Sequence, residues 1–360
     1  MTKIRDNYID IVKGLLMLSV INIHTAYWAL LRHTPDIVRE LAYFVDIPLF
    51  FFISGYLLRS TDFIESLKIF LRQFIRLFFH YIVVSLLLLM ATFCYFYLVD
   101  GRLVSGLADS LISIKDFNLR GELWNYIYGY NGSLWYIRVY FSMMLIIPLF
   151  IGLQIFQRMR ICGLFFMVLF YSLTIYQYSG HTFIFTDYEY VGFYSIFFLL
   201  GSIYQIEEKR IKQRDLLISL AITSLLCGMI YHFDNNELRL SQYKFPPTFQ
   251  YLVYSLPLLH LFALIKPRWH LADNSTVGKL LKPLASAGKH SYILFLFQGA
   301  VCSLPGYFLG AIPVNSNLGL YGFVFAFNVG LSLLLTWCYV ICSSTVQSVA
   351  TRLLTTVKQQ

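Results

Sequence analysis

The sequence predicts an all-α integral membrane protein of about ten transmembrane helices, with both termini in the cytoplasm. Three observations predict it. The 360 residues are 58% hydrophobic and only 13% charged, with a mean hydropathy of +0.64. The apolar residues come in runs of about 17 to 25 rather than in alternation, which is the length a helix needs to cross hydrocarbon. Lys and Arg are also distributed unequally between alternate connections, as orientation in a bilayer requires.

The runs lie at residues 9–31, 40–58, 77–99, 134–156, 161–179, 190–206, 215–232, 248–265, 289–312 and 318–345. With residues 1–8 inside, the inner segments carry nineteen Lys and Arg against seven in the outer ones, Lys13 and Arg138 falling within spans. That excess orients the chain, and it accounts for most of the net charge of +9 without a nucleic-acid partner. The first run is long, carries Lys13 and His24 and lacks a small-residue cleavage site, so it reads as an anchor that stays. Residues 62–76 form an amphipathic inner stretch with Lys68, Arg72 and Arg76 at four-residue spacing, a pattern that suits contact with lipid headgroups. The outer connections 100–133 and 233–247 are polar and aromatic, and the first has the composition of an external lid. No linker or internal repeat divides the chain. One polytopic domain is expected over 1–350, followed by a short cytoplasmic tail, 351–360.

Six cysteines lie mostly inside apolar runs without metal-ligand spacing, so neither a disulfide framework nor a metal is expected. The 33 Phe and 27 Tyr suit interfacial belts and also stacking against sugar rings or an adenine.

The first run is the unusual one. Asp6, Asp10, Lys13 and His24 lie in it or at its edge, although an ionisable group at membrane depth costs at least ~2.5 kcal/mol and persists only when paired or turned to a polar interior. Lys13 and His24 are eleven residues apart, close to three helical turns, so they share a face about 16 Å apart along the axis. Asp10 stands one turn before Lys13 and is placed to pair with it. Asp46 enters the second run from the outer end at a depth similar to that of His24, which allows a contact between them; an Asp before Ile47 and Pro48 also makes an ordinary helix start.

Five stretches in order, YIDIVKGLLMLSVINIH, DIPLFFFISGYLL, FLRQFIRLFF, SLWYIRVYF and AGKHSYILFLF, resemble the membrane-bound acyltransferase-3 family, and within it the branch of sugar O-acetyltransferases such as fucose acetylases. The resemblance runs from residue 5 to about residue 300. It implies transfer of an acyl group, usually acetyl from acetyl-CoA, to a hydroxyl of a surface polysaccharide or lipid-linked glycan by a multi-pass enzyme of the bacterial inner membrane. By the same resemblance His24 matches the family's essential histidine, Lys13 the basic residue eleven positions before it, and Arg72 and Arg76 the basic cluster after the second span. Gln73 and Gln298 depart from the pattern, standing where arginine and histidine are common.

The residues agree with that chemistry on their own terms. Acyl transfer to a hydroxyl needs a base, and histidine titrates near neutral pH; His24 can serve directly or as an acyl carrier. Asp10 or Asp46 can orient the imidazole, while Lys13 can hold Asp10 or neutralise a thiolate or phosphate. Arg72 and Arg76 lie where CoA phosphates arrive, arginine being a bidentate phosphate ligand, although lipid anchoring explains them equally. Trp135, Tyr136 and Arg138 open the fourth span as an aromatic belt with a cation, or as sugar contacts. The competing class is a glycan flippase in which Asp10, Lys13 and His24 line the path. Such a transporter is expected to show two similar halves, and no such symmetry is visible.

Overall fold

A computed structural model describes residues 6–29, 34, 36–44, 47–58, 63–100, 135–152, 182–183, 186–269, 276–309 and 318–357. These are almost entirely helical; one pairing of two-residue strands, β1 (Thr182–Phe183) with β2 (Thr186–Asp187), is antiparallel. Five helical stretches are long and apolar enough to cross a membrane, Asn7–Tyr27, Leu67–Leu88, Gln213–Phe233, Phe249–Arg268 and Leu318–Thr345. The expected run at 161–179 and, but for Asp100, the connection 100–133 lie outside the described residues.

Helix α1 (Asn7–His24) begins at an Asp6 cap, whose side chain accepts the Tyr8 N–H, and passes into a π-turn, Thr25–Ala29. The run expected at 40–58 is instead two helices, α2 (Asp36–Ala42) and α3 (Ile47–Leu57), with Pro48 in the first turn of α3 where its missing N–H costs nothing. The amphipathic stretch and the third run, expected as separate elements, form one continuous helix, α4 (Phe63–Asp100). No Pro or Gly interrupts those residues, so nothing breaks the backbone ladder between the amphipathic turns and the apolar ones.

Helix α5 (Trp135–Gly152) follows, and after the β pair come α6 (Tyr188–Glu207) and α7 (Gln213–Phe233). A short α8 (Leu240–Lys244) lies in the second connection, before α9 (Phe249–Ile265). Two short helices, α10 (Thr276–Leu280) and α11 (Lys282–Lys289), lead to α12 (Ser291–Leu309), and α13 (Leu318–Val357) continues past residue 350 without a break. Helix α7 is mainly apolar beyond its first turn yet buries only Thr223, the profile of a helix that faces lipid on most sides.

Two backbone-to-backbone crossings set the packing. A Cβ on Gly288 would stand 1.7 Å from the Asp10 carbonyl oxygen, and one on Gly14 would stand 2.2 Å from that of Leu284. Helix α11 therefore lies directly on α1, as small residues permit between membrane helices. Gly55 of α3 and Gly201 of α6 make the same kind of contact, 1.9 Å from Phe198 O and Phe52 O respectively. Aromatic side chains fill the space around the second crossing, with Phe51 stacked on Tyr194 at 4.8 Å and Phe52 edge-on to Phe262 at 5.4 Å. At one end of the bundle a polar clamp ties four segments together. Lys266 Nζ lies 2.9 Å from Glu208 Oε1 and 3.8 Å from Asp6 Oδ2, while the Tyr56 hydroxyl donates to Glu208 Oε2 at 3.0 Å.

The crossings make a stability prediction. Gly288→Val and Gly201→Val force backbones apart and should each cost about 1–3 kcal/mol or more, read as a lowered unfolding temperature in detergent. Gly228→Ala and Gly330→Ala, where an added Cβ meets nothing within 4 Å, should be neutral or stabilising by up to ~1 kcal/mol.

Candidate active site

The polar line expected on α1 faces α12. Lys13, Met17, Val20 and His24 are spaced by three or four residues and form one stripe. On α12 the facing stripe is Ser291, Tyr292, Phe295, Gln298 and Cys302. The lower part of this seam opens into a cavity of about 130 Å³ closed by α3, α4 and α5. Lys13 lines it with the hydroxyl-bearing residues Ser54, Tyr136, Tyr140, Ser291 and Tyr292, among apolar walls that include Phe50 and Phe295. The walls are themselves braced: the Tyr292 hydroxyl donates to Leu77 O at 2.9 Å, and that of Tyr140 to Gln73 Oε1 at 3.3 Å.

One turn beyond the cavity stands His24, only 9% exposed. Its Nδ1 lies 2.5 Å from Gln298 Oε1. The Gln298 amide is oriented by its own Nε2, which donates to Phe295 O at 3.3 Å, so the oxygen is the atom turned to the imidazole. An amide oxygen can only accept; the hydrogen therefore sits on Nδ1, and the basic lone pair is on Nε2, a tautomer assigned from these partners. Cys302 Sγ approaches the same Gln298 oxygen at 3.9 Å, and Thr25, the residue after His24, accepts from Asn328 Nδ2 at 2.8 Å.

The other sequence candidates are placed as follows. Asp10 is buried on α1, its backbone against Gly288. Asp46 lies outside the described residues. Arg72 and Arg76 are exposed on α4. Tyr136 lines the cavity, whereas Arg138 is exposed on α5. Trp135 joins an aromatic group with Tyr190 at 5.6 Å and Phe245 at 5.7 Å. Among the described residues no group of three His, Cys, Asp or Glu has the arrangement to hold a metal ion.

Two residues at this site were not assigned roles by the sequence. Gln298 drew notice only as a departure from a histidine; its signal is a lone amide in the apolar run ILFLFQGAV. Lys244 counted merely as an outer positive charge. It is 2% exposed, with Nζ over the rings of Tyr43 at 4.6 Å, Phe245 at 5.2 Å and Trp135 at 5.7 Å, and close enough to His24 to act on it electrostatically. The second connection is pinned over the bundle by Ser241, whose N–H and hydroxyl donate to the Glu40 carboxylate at 2.8 and 2.6 Å, and by the Tyr243 hydroxyl, which donates to Asp234. Burial and the Asp234 carboxylate push the Tyr243 phenol up to about 12, so it remains a donor across the physiological range.

A family model described as an acyltransferase domain matches residues 6–337, from the cap of α1 into the last helix. Compared with curated proteins and with solved structures, the chain finds no match. A match over nearly the whole chain, on a bundle with five helices able to span a bilayer, makes this protein a multi-pass membrane acyltransferase that belongs to the acyltransferase-3 family.

Proposed function

We propose that this chain is a sugar O-acetyltransferase of the bacterial inner membrane, with ten spans and cytoplasmic termini, that moves acetyl from acetyl-CoA to a hydroxyl of a surface polysaccharide or lipid-linked glycan. The observation that carries the reading is the buried His24, held by Gln298 so that Nε2 bears the lone pair, one turn from a cavity with Lys13 in its wall.

In this reading Nε2 takes the proton of the acceptor hydroxyl as its oxygen attacks the thioester carbonyl; the new C–O bond forms, the C–S bond breaks and the sulfur leaves as a thiolate. The Gln298 oxygen stabilises the imidazolium through Nδ1–H, in the way a buried acceptor orients a catalytic imidazole. Lys13 faces the leaving thiolate or a pantetheine phosphate at the inner part of the seam. Arg72 and Arg76 receive the CoA phosphates where α4 emerges. At the outer end Trp135 and Tyr136 offer rings to the sugar, with Arg138 and Lys244 as cations nearby and Asp10 and Asp46 as balancing carboxylates. The same lone pair is also the nucleophile if the acyl group rests on His24 before reaching the acceptor.

His24→Ala should reduce ester-linked acetate on the host glycan by about 10²–10⁴-fold, the range that general-base catalysis supplies, without loss of folded protein; full activity in that variant overturns the reading. Acid quenching of a reaction started without acceptor, followed by peptide mass analysis, should find acetyl on His24 only if it is an acyl carrier. Gln298→Leu removes the acceptor for Nδ1–H and should lower kcat roughly ten- to hundredfold, corresponding to the ~1–3 kcal/mol of an orphaned buried donor, whereas Gln298→Glu should retain more. Arg72→Ala combined with Arg76→Ala should raise the KM for acetyl-CoA and leave kcat nearly unchanged; equal CoA affinity in a binding titration returns these residues to lipid anchoring.

A further inference from the structure

Helix α13 turns a row of polar groups into the bundle that acyl transfer at His24 does not use. Its buried positions are Tyr321, Val324, Asn328, Ser332, Thr336 and Tyr339, steps of three or four that place them on one face. From Asn328 inward every one of them carries a polar atom, while Phe323, Leu334 and Trp337 on the other faces are exposed. Asn328 and Ser332 are each 0% exposed, and among the described residues Asn328 Oδ1 and Ser332 Oγ have no hydrogen-bond partner.

Adhesion between helices is the ordinary use of polar groups in a membrane bundle, and it accounts for part of the row. Asn328 Nδ2 reaches Thr25, and the Thr336 hydroxyl donates to Ser332 O at 2.8 Å. It leaves the two orphaned oxygens unexplained, and in hydrocarbon such atoms are expensive to keep dry. A polar ligand small enough for a buried site with several such partners is water.

The row connects the His24 end of the seam with the neighbourhood of the cavity. At its outer end Thr25 is adjacent to His24, and Cys302 touches the Gln298 oxygen. At its inner end the Tyr339 hydroxyl lies 2.7 Å from Nδ1 of His80 on α4. His80 is one turn from Leu77, which lines the cavity. Asn328 and Tyr339 are eleven residues apart, about 16 Å along the axis.

We propose that this row, from Asn328 through Ser332 to Tyr339 and His80, holds a file of water that carries protons from the His24 end back toward the cavity. The inference rests on the acyl-transfer reading, whose proton balance supplies the need. The acceptor hydroxyl gives up one proton as the ester C–O bond forms, and the departing thiolate requires one proton to become a thiol. With acceptor outside and donor inside, each turnover separates one charge across the membrane unless a proton crosses inward, and that separation works against the next turnover. The row returns that proton.

The test uses right-side-out membrane vesicles that carry the full chain and the host glycan, loaded with acetyl-CoA and the pH dye pyranine. Ester-linked acetate on the glycan, CoA thiol in the lumen and lumenal pH are followed together. The wild-type lumen should keep its pH as esters accumulate. Ser332→Val and, separately, Asn328→Leu should make the lumen lose one proton for each ester formed and slow turnover several-fold, while Ser332→Thr, which keeps the hydroxyl, should behave as wild type. A merely structural role changes the rate without changing protons per ester. Lumenal alkalinisation by one proton per ester in the wild type overturns the proposal, as does unchanged stoichiometry in both row variants recovered as folded protein. Ester absent from the wild type overturns the acyl-transfer reading itself.

Discussion

The contact on which the site depends is the close approach of α1 and α11 at Gly14 and Gly288. Neither position can accept a Cβ, because the facing carbonyl oxygens already occupy that space. The contact fixes α1 axially, since sliding by a residue would bring a side chain into backbone. Only His290 separates the end of α11 from the start of α12 at Ser291, so the register set below is inherited above. Ser291, Tyr292 and Phe295 meet the level of Lys13 and Met17, and Gln298 comes to His24. The glycine crossing of α3 with α6 performs the corresponding service for the opposite wall, holding Phe50 and Ser54 against the cavity.

Electrostatics explains why the polar groups gather where they do. In hydrocarbon a polar side chain must find a partner within the protein, and four of the described pairs lie along one seam: His24 with Gln298, Asn22 with Tyr321, Thr25 with Asn328, His80 with Tyr339. These pairs join α1, its π-turn or α4 to α12 or α13. Helices α7 and α9 take no part in that seam and are joined to each other by Ser219 and His260 at 2.7 Å, while α7 otherwise presents mostly exposed apolar side chains. The seam is capped by the connection that carries Lys244, a buried cation stabilised by three aromatic faces and held in place by Glu40 and Asp234. A positive charge near His24, in surroundings of low dielectric, acts over a longer range than it would in water.

Hydrophobic run length, positive-charge bias and the ionisable groups of the first run were legible in the chain alone, because each is a local property: a span is a matter of consecutive apolar residues, and a charge in one is costly wherever the helix packs. Lys13 and His24 share a face for the same local reason, their eleven-residue spacing. The alignment of α1 with α12 is not local. It is decided by which glycines meet which carbonyls, and 274 residues separate His24 from Gln298. Gln298, which the sequence marks only as a departure from a histidine, accepts at Nδ1 of the imidazole; the carboxylate expected at similar depth, Asp46, lies outside the described residues. The burial of Lys244 is likewise tertiary, since its rings come from α2's end, α5 and its own connection. Composition and periodicity determined that the chain is a helical membrane protein with an unusual first helix. Only the packing of backbones against one another decided which nitrogen of His24 carries the lone pair, and what stands beside it.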